Sequence, residues 1–227
     1  MFIVYDFRVT GRVPKPIARG EPLRDAVYAR VVALISSGRY PPGAALTEAS
    51  LSRALDVSRT PIREALLRLE AEGVLRSALA RGFTVRPLVR REAEELYPVL
   101  AALEVLAVRA AVPATKPTVN TLRGTLAELE RCTDPVRRWE LDTRWHRTLV
   151  AAGGNEHLHR MVGQLLVNVS RYELAHLREA TSRDETDRQH RDVLAAVEAR
   201  DPDRAAALLE SHWHQGMRRV LEWLDRG

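Results

Sequence analysis

The chain has 227 residues, 45% of them hydrophobic, which is enough for one large domain or two modest ones with real cores. Its single cysteine, Cys132, excludes a disulfide framework and a cysteine-based zinc site, and no apolar run reaches membrane-spanning length because Glu104 and Arg109 interrupt the best candidate. The net charge of +5 is uneven: residues 1–90 hold 15 Lys+Arg against 8 Asp+Glu, whereas residues 91–227 hold 20 against 22, so the first part is the one suited to a polyanion.

The opening segment M-F-I-V-Y-D-F-R carries Asp6 and Arg8 and lacks the layout of a signal peptide. With the lone thiol, this leads us to expect a cytoplasmic protein. Residues 1–20 show no helical period and read as an arm. Leu23, Val27, Val31 and Leu34 or Ile35 then mark a helix, stopped by Gly38 and Pro41-Pro42-Gly43. Thr47 is placed to cap a short helix ending near Asp56, with Leu46 and Leu51 as its hydrophobic staple. Ser58 is expected to cap the next helix, where Pro61 is tolerated because first-turn N–H groups have no helical partner. Ile62, Ala65, Leu66 and Leu69 form its buried stripe, and Arg59, Arg63 and Arg68 the opposite face. Val74–Ser77 and Phe83–Arg86 read as two strands joined around Arg81-Gly82. From Arg90 onward the pattern predicts helices only, over roughly 91–112, 117–132, 135–152, 156–180, 183–200 and 202–225, with Ser182 and Glu185 forming a capping box. The expected fold is mainly α: an arm (1–20), a winged helix-turn-helix domain with a small β-hairpin (21–88), and an all-α bundle of about six helices (89–227).

Two constellations carry chemistry. A helix that enters a DNA major groove needs a cationic, polar first turn and an apolar anchoring face. Ser58, Arg59, Thr60 and Arg63 supply the first turn. Arginine reads guanine or phosphate bidentately, first-turn N–H groups favour phosphate, and Arg81-Gly82 at a hairpin tip would approach a minor groove. Further on, Asp142 and His146 lie four apart and share one helix face. His190 falls on the stripe of Leu194 and Val197, and His212 on that of Leu208, Leu209 and Val220. Four metal-competent side chains thus project from apolar helix faces, where a lone carboxylate is costly unless paired or bound to a cation. An N,N,N,O donor set suits zinc first, and also nickel or another divalent transition ion. Glu173-x-x-His176 is a single Glu-x-x-His pair, which is too few for a di-iron bundle.

The run Y-P-P-G through L-T-E, then L-D-V-S-R-T-P-I-R-E-A-L-L-R-L-E-A-E-G-V-L, then R-G-F-T-V resembles the winged helix-turn-helix of the GntR family of bacterial transcription regulators. The resemblance implies that Arg59 and Arg63 contact the major groove and that Gly82 lies near the minor groove. The family often has an arginine where this chain has Ala49. The segments D-T-R-W-H-R-T-L-V-A-A-G-G-N-E-H-L, R-Q-H-R-D-V-L-A-A-V and L-L-E-S-H-W resemble the all-helical FCD effector domain of the FadR-like branch. This implies a metal held by Asp142, His146, His190 and His212. Many members also carry a cavity arginine where this chain has Leu100. Asn168 and Arg171 are then the candidates for holding an organic-acid effector. The expected protein is a ligand-responsive repressor rather than an enzyme. It would be a homodimer on a palindromic duplex operator, with no membrane partner. The rival readings are a sensor whose effector is the ion itself and a metallohydrolase.

Overall fold

The computed structural model describes residues 23–78, 82–179 and 184–226, and the chain divides into two units, residues 1–87 and 88–227. The expected arm, Arg81 and Ser182 lie outside the described residues.

The first unit contains α1 (Leu23–Ser36), β1 (Ala45–Leu46), α2 (Glu48–Leu55), α3 (Arg59–Ala71), β2 (Leu75–Ala78) and β3 (Gly82–Val85). The α1 stripe is Val27, Val31 and Ile35, all buried, whereas the expected Leu23 is 47% exposed at the helix start. These residues meet Ile62, Leu66 and Leu69 of α3 in a small core completed by Leu46, Leu51, Leu55, Phe83 and Val85. Thr47 caps α2, its hydroxyl accepting from Ser50 N–H at 3.1 Å. Asp56 then turns the chain in the left-handed region at φ 54°. Ser58 occupies the N-cap position of α3 with extended backbone, but its side chain makes no capping bond, contrary to expectation.

The wing strands are offset by about one residue from the predicted pair, and a third strand joins them in the order β1-β3-β2, antiparallel throughout. β1 pairs Ala45 with Thr84 and Leu46 with Phe83. Two residues show no periodicity, and these form a strand only because β3 passes alongside. Gly82 explains its own identity. Its φ is 79°, and a Cβ there would sit 2.6 Å from the Leu46 carbonyl oxygen, so this position excludes any side chain.

Among its described residues the second unit has six helices: α4 (Arg90–Ala111), α5 (Lys116–Arg131), α6 (Pro135–Ala152), α7 (Glu156–Glu179), α8 (Asp184–Glu198) and α9 (Pro202–Leu224). Thr115, Asp134 and Asp201 cap α5, α6 and α9, and a proline follows each cap at the first or second helical position. There the missing N–H costs nothing. α4 is the axis, lying along α9 and also against α6 and α7, while α8 packs on α5 and α9. Tyr97, Leu100, Leu149, Val169, Leu209 and Trp213 meet between them. Among the described residues, no helix is long and apolar enough to cross a membrane.

Candidate functional site

The first turn of α3 faces solvent: Ser58, Arg59, Thr60 and Arg63 are all exposed. Among the described residues Arg63 has only a loose ion pair with Glu48, at 3.8 Å, and its side chain is 69% exposed. Arg68, which shares the arginine face in sequence, is withdrawn from it. Its guanidinium lies 3.7 Å over the Tyr28 ring and pairs with Glu72 and Asp25. It fastens α3 to α1, while Arg59 and Arg63 stay available to a partner.

In the second unit, the buried rings of His146, His190 and His212 converge from α6, α8 and α9, with ligating nitrogens within 4.8 Å of one another. Asp142 reaches the same point from one turn before His146. Its carboxylate oxygens are 3.2 Å from His190 Nε2 and 3.9 Å from His146 Nε2.

Each histidine is turned inward by a bond on its outer nitrogen. His190 Nδ1 lies 2.8 Å from the Thr186 carbonyl oxygen, which only accepts, so Nδ1 carries the proton. His146 Nδ1 meets Glu104 Oε2 at 2.7 Å, and Trp213 Nε1 donates to the same oxygen at 2.9 Å. His212 Nδ1 meets Gln189 Oε1 at 2.9 Å. The orientation of that amide is fixed because its nitrogen donates to two acceptors, Glu185 Oε1 and Gln215 Oε1. Neutral rings held this way present three Nε2 lone pairs to one point. The Nε2 atoms of His146 and His190 are buried without a hydrogen-bond partner. Buried polar atoms are rarely left so, and outward Nδ1–H bonds to carbonyl and carboxylate oxygens are the supporting shell that metal-binding histidines use.

The charges agree. Burial pushes the Asp142 carboxyl up, but the His190 contact and the rings of His146 and His212 outweigh it, holding it well below the usual carboxylate range. Burial pushes His146 down and Glu104 overcomes this, so it is raised. His212, buried beside the other two rings, is held well below its ordinary value. Asp142 is thus held in its ionised form beside three imidazoles whose Nδ1 atoms are already engaged, one oxygen and three nitrogens facing one point. The donor set therefore fits a transition metal.

A cavity of about 50 Å³ opens beside this cluster, lined among others by Asp142, Glu173, His212, Trp213, Gly216 and Arg219. The sequence candidates Asn168 and Arg171 are not among its lining residues. Arg171 is buried against α4, pairing with Glu92 at 2.9 Å and bonding to Asn168. Helical periodicity alone does not separate an arginine facing a cavity from one facing a neighbouring helix. Arg138 lines the cavity but is tied to Asp187 and to the Leu129 carbonyl.

Sequence reading assigned no role to Glu104, Gln189, Glu173 or Arg219. Glu104 had a usable signal. It sits on the buried α4 stripe with Tyr97, Leu100, Ala101 and Val108, and a carboxylate on an apolar stripe is the same anomaly that singled out Asp142. Arg219 follows His212 and Gly216 on one α9 face. Gln189, beside His190, has no distinguishing signal.

The first unit is thus a winged helix-turn-helix with a free cationic first turn, and the second a helical domain enclosing a metal-competent triad: the architecture of a bacterial transcription regulator. Residues 23–85 match the family model "Bacterial regulatory proteins, gntR family", and residues 95–215 match "FCD domain". The chain belongs to the GntR family and carries an FCD domain. It is 32% identical over 189 residues to the Nta operon transcriptional regulator of Aminobacter aminovorans, covering 82% of this chain and 89% of that one. It is 31% identical over 185 residues to the probable D-xylose utilization operon transcriptional repressor of Paenarthrobacter nicotinovorans, covering 80% and 81%. Among solved structures it resembles E. coli McbR/YncC, with a TM-score of 0.83 and 26% identity over 90% of this chain and 100% of that one.

Proposed function

We propose that this protein is a ligand-responsive repressor that binds a palindromic operator as a cytoplasmic homodimer, with a divalent metal, zinc first, at Asp142, His146, His190 and His212. The observation that carries the sensing half is the convergence of three Nε2 atoms whose outer nitrogens are already bonded. When bound, the ion would supply a Lewis-acidic centre for an oxygen ligand. This chain's residues orient the donors, exclude bulk water and shape the adjoining cavity. That cavity favours an organic effector over the bare ion as the signal. Ligand control then requires unequal effector affinity for the DNA-competent and DNA-incompetent arrangements. The repressor sign follows the relative from Paenarthrobacter nicotinovorans.

Duplex DNA is read by Arg59, Thr60 and Arg63, with Ser58 and the first-turn N–H groups on phosphate and the wing at Arg81-Gly82 on the minor groove. Operator affinity measured by fluorescence anisotropy is expected to fall about 10³-fold or more between 50 and 200 mM salt, as for proteins neutralising about six or more phosphates. A flat response would remove the phosphate contacts.

The dimer reading rests on α4. Leu96, Val99, Leu103, Leu106 and Ala110 repeat at spacings of three and four, and Val99 and Leu106 are 49% and 57% exposed. This is the stripe by which one helix packs on another. Glu95 and Arg109 flank it with opposite charges, so a two-fold antiparallel pairing with a second copy brings unlike charges together. Leu106→Glu is expected to shift the protein from dimer to monomer in sedimentation and to weaken operator binding. A dimer undisturbed at micromolar concentration would place the interface elsewhere.

A further inference from the structure

Several cations of the first unit are neutralised within it. Arg24 pairs with Glu64 at 2.9 Å, and Arg68 pairs with Glu72 and Asp25, so these arginines fasten α1 to α3. Arg53, on α2, differs. It is exposed, and among the described residues it forms no ion pair; its one hydrogen bond goes to its own helix.

The helix sets where that guanidinium lies. Leu51 and Leu55 are the buried residues of α2, and at about 3.6 residues per turn Ala49 and Arg53 fall on the opposite side. Long side chains on a helix lean toward its N-terminus, and Arg53 does so: its Nε donates to the Ala49 carbonyl oxygen at 3.3 Å. Ala49 has no side chain beyond Cβ to compete for that space. The Nε bond holds the stem, while both Nη groups have no hydrogen-bond partner among the described residues. A side chain held this way has already given up part of the rotamer freedom that binding would cost.

The same turn of α2 adjoins the cationic face of α3. Glu48, next to Ala49, is the residue whose carboxylate reaches Arg63, and Thr47 and Ser50 add two exposed hydroxyls 3.0 Å apart. In a helix-turn-helix the helix before the recognition helix crosses the sugar-phosphate backbone. An arginine with free Nη donors at that crossing suits a phosphate, whose oxygens match its planar fork. Arg39 and Arg76 also form no ion pair among the described residues, but they stand on the turn after α1 and on β2.

We infer that Arg53 binds a DNA phosphate beside the bases read by α3, so that α2 as well as α3 carries a cation to the duplex. This rests on the operator reading proposed above. The contact adds affinity and fixes register but carries no base preference.

The test is fluorescence anisotropy of the full-length protein on a duplex selected in vitro from random sequence and on single-base variants of that duplex. Native protein is compared with Arg53→Gln, Arg53→Lys and Arg39→Gln. Arg53→Gln is expected to weaken binding about 10-fold at low salt, the lower end of the range for a hydrogen bond to a charged group. The deficit should shrink about 3-fold between 50 and 200 mM salt, because each lost phosphate contact lowers the slope of log affinity on log salt by about 0.9. The loss should be the same on every duplex, and Arg53→Lys, which keeps the charge, should restore most of the slope. Glutamine and arginine are similar helix formers, so the thermal midpoint should hold. Arg39→Gln removes the same charge from the turn after α1 and should leave the slope unchanged. A native slope in Arg53→Gln overturns the contact and leaves the operator reading standing. An equal loss in Arg39→Gln reduces the effect to net charge and also overturns it, as does a loss confined to some of the duplexes, which would make Arg53 a base reader. A flat slope in the native protein overturns both.

Discussion

Arg63→Ala is expected to weaken binding to a duplex operator, selected in vitro from random sequence, by about 5-fold to 150-fold while leaving the thermal midpoint within a degree or two. The size is that of one good bidentate base contact, about 1–3 kcal/mol. The stability half follows from the surroundings of the side chain. Arg63 is 69% exposed, and its one ion pair among the described residues is long, 3.8 Å to Glu48. Exposed pairs of this kind contribute about 0–1 kcal/mol, and alanine is at least as good a helix former as arginine. Arg68→Ala should behave in the opposite way. It removes a guanidinium stacked on Tyr28 and paired with Glu72 and Asp25, so stability should fall and operator affinity at a permissive temperature should change little. Anisotropy titration and thermal unfolding of both variants decide the matter. Unchanged affinity in Arg63→Ala would remove α3 from the groove.

His190→Ala should abolish stoichiometric metal. Loss of an outer partner such as Glu104 or Gln189 costs roughly 10-fold to 100-fold in metal affinity, and losing a ligand itself should cost more than that. The substitution also leaves the Thr186 carbonyl without its ring donor and removes the nitrogen nearest Asp142. The checks are elemental analysis after exhaustive dialysis and the thermal shift on adding zinc. With zinc at about 100 times its dissociation constant, the native protein should gain about 2.7 kcal/mol, and the variant almost none. Full metal retention by His190→Ala would mean that the ion sits elsewhere. Glu104→Gln should bind zinc at reduced affinity, because His146 would lose its carboxylate partner while keeping an acceptor of similar shape.

Much of the buried cluster was legible because it violates local rules. Asp142 and His146 share a face, and His190 and His212 each sit among apolar neighbours on their own helix; burial is the only state consistent with those stripes. The helix limits were legible for the same kind of reason: Thr115, Asp134 and Asp201 each precede a proline tolerated in the first turn. The two-residue strand β1, the withdrawal of Arg68 and the burial of Arg171 against Glu92 were not, because each depends on what lies opposite, and periodicity says only which face a residue is on.

The sequence by itself therefore determined the class of each unit, the cationic first turn of α3 and the four inward donors, since these follow from period, punctuation and charge along single helices. The tertiary structure alone decided which polar residues meet. It set Glu104, Thr186 and Gln189 behind the three rings and so fixed their tautomers, placed Arg171 outside the cavity and Arg219 inside it, and closed the Gly82 backbone onto Leu46. Those pairings join residues up to 109 positions apart, as with Trp213 and Glu104, and only the packing of one helix against another brings them within hydrogen-bond reach.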